Sequence, residues 1–178
     1  MVKAVFLDRD GVVNQAVVRR GKPYPPSNLG ELVIPDEVRS VLPRLKEAGY
    51  LLIVVTNQPD VARGTQTRET VEEINGFLGR ELPLDDILTC YHDTEDRCPC
   101  RKPLPGLMLQ GAERHRIDLS ASFLIGDRWK DIEAGERAGC RTIFIDYQYR
   151  EKQPDHPDYR VHSLTEAVSI ILNDTSPF

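Results

Sequence analysis

Asp8 and Asp10 stand two positions apart at the end of a short apolar run and are followed by Gly11. A second pair, Asp127 and Asp131, follows another apolar run, Phe123 to Ile125. Thr56 closes a third such run, and Lys102 lies between the two acidic stretches. If the chain stays extended through Asp10, both acids of the first pair point to one side and Arg9 points away. Four converging carboxylates repel by roughly 4 kcal/mol per pair at about 4 Å and an effective dielectric near 20. A divalent cation removes that penalty, and an all-oxygen site favours Mg²⁺. The same cation suits a phosphate ester, whose anionic oxygens it can bridge. One carboxylate can then attack phosphorus and form an aspartyl-phosphate. The other can protonate the leaving oxygen and afterwards activate water. Lys102 can neutralise developing charge, and the Thr56 hydroxyl can donate to a phosphoryl oxygen. A single aspartate after a strand is more often a loop solvator or helix cap; only the ordered set carries this chemistry.

A second constellation lies just before Lys102. Cys90-Tyr91-His92 and Cys98-Pro99-Cys100 place ligand-type residues at i and i+2 twice. In extended backbone such pairs face the same way, so each can clamp one side of an ion. Three thiolates and an imidazole make a closed tetrahedral set, the pattern of structural Zn²⁺. Ordering about ten loop residues costs on the order of 10–20 kcal/mol, comparable with the roughly 10–16 kcal/mol that structural zinc contributes in small peptides. Reduced cysteines in a loop with an incidental histidine are the competing interpretation. Cys140, the remaining cysteine, reads as a small buried core residue.

The elements that must position these residues alternate. Strand-like runs occur at Val2–Leu7, Leu51–Val55, Ile87–Thr89, Phe123–Ile125 and Thr142–Ile145. They are continuously apolar, as expected of a sheet covered on both faces. Helical spacing recurs in Val38/Val41/Leu42/Leu45, where Pro43 should kink the helix or shift its start. It recurs in Val71/Ile74/Phe77/Leu78, in Leu107–Arg116 and in Ile132/Gly135/Ala138. Ser163 with Glu166 is a capping-box pattern for a last helix through Leu172. Gly21–Asn28 and Gln153–Asp158 read as loops. This order predicts an α/β fold, a Rossmann-like doubly wound parallel sheet with helices on both faces. In such sheets ligands bind at the carboxyl ends of the strands, where the acids and Thr56 would gather.

Asp8-Arg9-Asp10-Gly11-Val12-Val13-Asn14 resembles the first motif of the haloacid dehalogenase superfamily. Thr56-Asn57-Gln58 resembles its second motif, Lys102 within Arg101-Lys102-Pro103 its third, and Gly126-Asp127-Arg128-Trp129-Lys130-Asp131 its fourth. The likeness is greatest to the small histidinol-phosphate and heptose-bisphosphate phosphatase branch, which also carries a zinc loop before the lysine motif. The resemblance implies Asp8 as nucleophile and Asp10 as general acid/base. It implies Mg²⁺ on the Asp8 carboxylate, the Asp10 backbone carbonyl and the Asp127 carboxylate, with Asp131 behind them. Thr56 and Lys102 would bind the phosphoryl group; Asn57, Gln58, Arg101 and Arg128 would contact substrate. Val12, Pro59 and Arg128 depart from the residues most usual at their positions in these motifs.

The chain has 178 residues, 40 % apolar and 29 % charged, which suits one domain spanning 1–178 and excludes disorder or a disulfide-dense miniprotein. Its net charge of −5 argues against nucleic acid as a partner. No apolar run is long enough for a membrane span or a signal peptide, so a cytoplasmic location, and a monomer, are expected. About 45 residues separate the first and second motifs, and a similar number the second and third, leaving no room for a folded cap domain in either interval. Arg19, Arg20 and Lys22 form a basic flap near the first motif, from which Arg19 could reach a second acidic group of the substrate. The expected substrate is therefore a small phosphorylated metabolite. A heptose bisphosphate losing its carbon-7 phosphate is favoured by the arginines, with histidinol phosphate as the alternative. A catalytically silent zinc-binding interaction module is the rival of another class.

Overall fold

The computed structural model describes residues 1–174. In chain order its first elements are β1 (Ala4–Leu7), β2 (Val17–Arg19), β3 (Lys22–Tyr24), α1 (Asp36–Glu47), β4 (Leu51–Asn57) and α2 (Arg68–Glu81). There follow β5 (Asp86–Cys90), α3 (Gly106–His115), β6 (Phe123–Gly126), α4 (Trp129–Ala138), β7 (Arg141–Ile145), β8 (Tyr159–Val161) and α5 (Leu164–Leu172). Six strands form one parallel sheet in the order β5-β4-β1-β6-β7-β8. β1 lies at its centre, with β4 on one side and β6 on the other.

The continuously apolar strands divide their side chains between two cores. Val5, Leu7, Leu52, Val54, Phe123 and Ile125 pack with α1, α2 and α5 on one face. Ala4, Phe6, Ile53, Val55 and Leu124 pack with Leu107 and Met108 of α3 and Ala134 and Ala138 of α4 on the other. The two-residue alternation of a strand thus serves two apolar layers at once.

Local signals explain most boundaries. Ser163 accepts from Glu166 N (3.1 Å), while the Glu166 carboxylate returns to His162 N (3.0 Å). Gly49, with φ +83°, follows the end of α1 as a stop. Pro43 does not shift the start of α1; it lies inside the helix. An interior proline costs ~3 kcal/mol, which the burial of Val38, Val41, Leu42 and Leu45 outweighs at roughly 1.5–3 kcal/mol each. Three strands, β2, β3 and β8, had no clear sequence signal. β8 is only three residues long and lies at the sheet edge. Part of the stretch read as a loop from Gly21 is β3, paired antiparallel with β2. Arg20 and Gly21 both have positive φ (53° and 80°), which makes the tight turn an Arg-Gly variant of the usual Asn-Gly one.

Gly135 lets α4 approach the sheet: a Cβ there would lie 2.7 Å from Thr142 Cγ2 and 2.8 Å from Leu124 Cδ2. Gly135→Ala should therefore destabilise the protein by about 1–3 kcal/mol despite alanine's better helix propensity. Urea denaturation should show a lower midpoint with an unchanged slope.

Candidate active site

The site is built on the carboxyl ends of the three central strands. Asp8 follows β1 directly, and its N–H donates to Ile125 O of β6 (3.0 Å). The chain then turns sharply: Val13 N and Asn14 N both donate to Arg9 O (2.9 and 3.0 Å). Gly11, at φ +100°, is packed so closely on Asp127 that a Cβ would run into the carboxylate. Asp127 follows β6, and Asp131 lies in the first turn of α4, where it accepts from Arg128 N (3.0 Å).

Lys102 reaches this cluster from the loop before α3 and is 2 % exposed. Its Nζ lies 2.7 Å from Asp8 Oδ1, 2.7 Å from Asp131 Oδ1 and 2.8 Å from Val55 O. Burial disfavours its charge, but Asp131 and Asp8 outweigh this and hold the ammonium above its ordinary pKa. Carboxylate oxygens of Asp8, Asp127 and Asp131 all fall within 4.8 Å of one another. One ammonium cannot neutralise three buried acids. Burial, then the Asp131 charge, pushes Asp8 up to about 6 against the pull of Lys102. Burial and the charges of Asp8 and Asp131 raise Asp127 well above the carboxylate range. Asp127 Oδ2 accepts from the Tyr149 hydroxyl (2.9 Å), while Oδ1 is buried without a hydrogen-bond partner. A buried, oxygen-only set with excess negative charge and an orphaned carboxylate oxygen fits Mg²⁺. Asp131, expected behind the metal ligands, stands close enough to be one.

Asp10 turns to a separate network. Its carboxylate accepts from Arg9 Nε (3.1 Å), Asn14 Nδ2 (3.0 Å) and Gln58 Nε2 (2.8 Å). Arg9 is fully buried and also reaches Asn75 Oδ1 of α2 (2.9 Å). Arg9 was expected to point away from the acids, but β1 ends at Leu7 and its guanidinium instead holds the Asp10 carboxylate.

The loop from Cys90 to Cys100 brings its four ligand-type side chains together. The three thiol–thiol distances among Cys90, Cys98 and Cys100 run from 2.9 to 3.6 Å, and His92 Nδ1 lies 3.7 Å from Cys90 Sγ and 3.4 Å from Cys100 Sγ. Burial and the neighbouring thiols raise Cys90, and burial raises Cys100, whereas thiol hydrogen bonds override burial to bring Cys98 down to about 7. The soft S₃N donor set in this compact arrangement fits Zn²⁺. The loop is tied to the mouth of the site: Arg63 grips Asp93 (2.6 and 2.9 Å), and Arg101 donates to His92 O (3.2 Å).

The mouth is a cavity of about 260 Å³ lined by Asp8, Asp10, Thr56 and Lys102 at its floor. Lys22, Tyr24, Arg63, Arg101, Arg128 and Lys130 form its walls. Lys130 is pushed below its ordinary pKa by partial burial and by Arg101 and Arg128, a measure of the positive field there.

Of the expected substrate contacts, Asn57 lines the cavity, and Gln58 and Arg19 do not. Gln58 is buried, bridging Asp10 and Thr56 Oγ1 (2.9 Å), because its side chain turns inward between them. Asn57 reaches the cavity wall, but its amide is committed to the backbone of Lys102, donating to O (3.0 Å) and accepting from N (3.1 Å). Arg19 is not among the cavity walls; it stacks on Tyr24 (5.8 Å), and the hairpin turn presents Lys22 and Tyr24 instead. Arg128 lines the mouth but is held by Glu151 (2.6–3.1 Å). His115 pairs with Asp86 (2.8 Å). Tyr149 and Glu151 lie in an aperiodic stretch after β7, and no sequence signal marked them.

Buried acids around a lysine on the carboxyl edge of a parallel sheet, beneath a cationic mouth, define a phosphate-handling hydrolase. An HAD-hydrolase-like family model matches residues 99–167. D-glycero-beta-D-manno-heptose-1,7-bisphosphate 7-phosphatase of Helicobacter pylori (strain J99) is 35 % identical over 175 residues, covering 95 % of this chain and 97 % of that protein. The enzyme of the same name from Escherichia coli (strain K12) is 35 % identical over 194 residues, covering 99 % and 97 %. The crystal structure of D,D-heptose 1,7-bisphosphate phosphatase from B. bronchiseptica, complexed with magnesium and phosphate, superposes with a TM-score of 0.80. It is 28 % identical and covers 96 % of this chain and 98 % of that one. The chain belongs to the haloacid-dehalogenase-like hydrolases, in their branch of small phosphatases. No helix among the described residues is long and apolar enough to cross a membrane.

Acid should weaken divalent-cation binding. Asp8, raised to about 6, carries a proton below that pH and competes with the ion. Calorimetric titration with Mg²⁺ should show affinity falling from pH 7.5 to pH 5.5, with proton release from Asp8 on binding growing as the pH falls through about 6.

Proposed function

We propose that the chain is a Mg²⁺-dependent phosphomonoesterase that removes the carbon-7 phosphate of D-glycero-D-manno-heptose-1,7-bisphosphate. The observation that carries the chemistry is the lysine-bridged carboxylate cluster on the floor of a cationic mouth. The full-length relatives named for this substrate support the choice of sugar. The mouth supports it too: a substrate with two phosphates needs positive charge beyond the reacting one, and Lys22, Arg63, Arg101, Arg128 and Lys130 surround the opening.

In this reading a carboxylate oxygen of Asp8 attacks phosphorus as the ester P–O bond breaks. Asp10 gives its proton to the leaving sugar oxygen. Water then attacks phosphorus of the aspartyl-phosphate and passes a proton to Asp10, which releases phosphate and restores the Asp8 carboxylate. Lys102 and the Thr56 hydroxyl hold the phosphoryl oxygens as charge shifts onto them. Asp8 and Asp127, with Asp131 or the Asp10 carbonyl, would hold Mg²⁺, which when bound offsets the negative charge of acids and phosphate together. Gln58 and Arg9 orient the Asp10 carboxylate, and Asn57 orients the Lys102 backbone. Cys90, His92, Cys98 and Cys100 would hold Zn²⁺; with four protein ligands it would have no open position for substrate, so its part is to order the loop that carries Arg101 and Lys102.

Asp8→Asn should lower Mg²⁺-dependent hydrolysis of an aryl phosphate by at least about 10³-fold; equal turnover would reject Asp8 as nucleophile and favour a silent module. Comparison of kcat/KM on heptose bisphosphate and histidinol phosphate tests the substrate, and preference for the latter would reverse the choice. Purified protein should contain one zinc per chain by elemental analysis. Cys98→Ala should lose that metal, melt at lower temperature and bind substrate more weakly.

A further inference from the structure

We propose that Tyr149 is a positioning residue for the cation site, its hydroxyl holding one oxygen of Asp127 so that the other faces the ion. The inference rests on Asp127 being a magnesium ligand, as proposed above.

Asp127 is fixed from two sides. Gly11 presses on its carboxylate at a distance no side chain would permit. From another direction the Tyr149 hydroxyl donates to Oδ2 at 2.9 Å. The remaining oxygen, Oδ1, is buried and has no hydrogen-bond partner, while the Asp8 and Asp131 carboxylates lie close by. A carboxylate held at one oxygen and unpartnered at the other presents the free oxygen in a single direction. Hydrogen bonds to metal-binding carboxylates serve this orienting role, and their removal costs 10–100-fold in metal affinity in typical sites.

Tyr149 is itself secured by its neighbours in the chain. Arg150 N donates to Gly21 O in the turn of the β2–β3 hairpin (2.8 Å). Glu151 grips Arg128 with both carboxylate oxygens. The Tyr149 ring also packs against Tyr147, with centroids 5.7 Å apart. Three consecutive residues thus touch the metal carboxylate, the hairpin and a mouth arginine, so the phenol is supported on both sides.

Calorimetric Mg²⁺ binding to metal-stripped protein (zinc retained), with melting temperatures recorded with and without Mg²⁺, tests the assignment. Tyr149→Phe keeps the ring and removes the hydroxyl. It should weaken Mg²⁺ binding by about 10- to 100-fold and shrink the Mg²⁺-induced rise in melting temperature. The Mg²⁺-free melting temperature and kcat at saturating Mg²⁺ should be retained. Tyr147→Phe should bind Mg²⁺ like the wild type. Unchanged affinity in Tyr149→Phe would overturn the proposal, as would equal weakening in Tyr147→Phe, which would trace the effect to ring packing. Asp127→Asn separates the two levels. If it binds Mg²⁺ as tightly as the wild type, the assignment of Asp127 as ligand fails and the role of Tyr149 falls with it. If it loses binding and Tyr149→Phe does not, only the positioning role fails.

Discussion

A lysine ammonium buried among more carboxylates than it can neutralise is the constraint on which this structure depends. Lys102 sits 2.7 Å from both Asp8 and Asp131, with Asp127 close behind. Burying charge is costly unless each group finds a partner, and here the count is uneven. The excess shows as raised proton affinity at Asp8 and Asp127 and as an orphaned oxygen on Asp127. The same imbalance that strains the protein alone makes it receptive to a divalent cation and, through that cation, to a phosphate. Lys102 keeps the cluster from being wholly anionic and faces the cavity where phosphorus would enter.

The ammonium comes from a loop, and loops hold position only when something supplies the ordering free energy. Two devices do so here. Asn57, at the end of a central strand, clasps the Lys102 backbone through both N–H and C=O. The Cys/His cluster gathers the preceding residues, and Arg63 and Arg101 fasten that loop to the rim. Asp10 is anchored independently by Arg9, which reaches through to Asn75 on α2, itself bonded to Thr89 on β5 (3.1 Å). The nucleophile candidate and the acid/base candidate therefore rest on different side-chain partners.

Several side chains took roles that their motif positions did not announce. Gln58 and Asn57 adjoin Thr56 at the end of β4, and the family resemblance implied substrate contact for both. Strand alternation and the path of the loop instead turn one inward to Asp10 and spend the other on a backbone. Arg19 and Lys22 belong to the same basic flap, but a hairpin turn separates them, and only Lys22 lines the mouth. Arg128 does face the mouth, yet its charge is shared with Glu151, from a stretch without periodicity. Each difference concerns where a side chain points after its neighbours have packed, which spacing along one segment cannot encode.

Sequence by itself determined the alternation of strands and helices, the sidedness of the sheet and the four segments that carry the acids, the hydroxyl and the lysine. These follow from short-range physics: apolar runs must be covered, caps and glycines end helices, and a strand's carboxyl end is where its next polar residues emerge. The tight spacing of Cys90, His92, Cys98 and Cys100 was equally local and equally legible. Only the tertiary structure decided which acids share a space, that Asp131 joins Asp8 at Lys102, and that Tyr149 and Arg9 brace carboxylates far from or beside them in sequence. Those outcomes depend on contacts between distant segments, 94 positions apart for Lys102 and Asp8, whose geometry is set by the packing of the whole sheet.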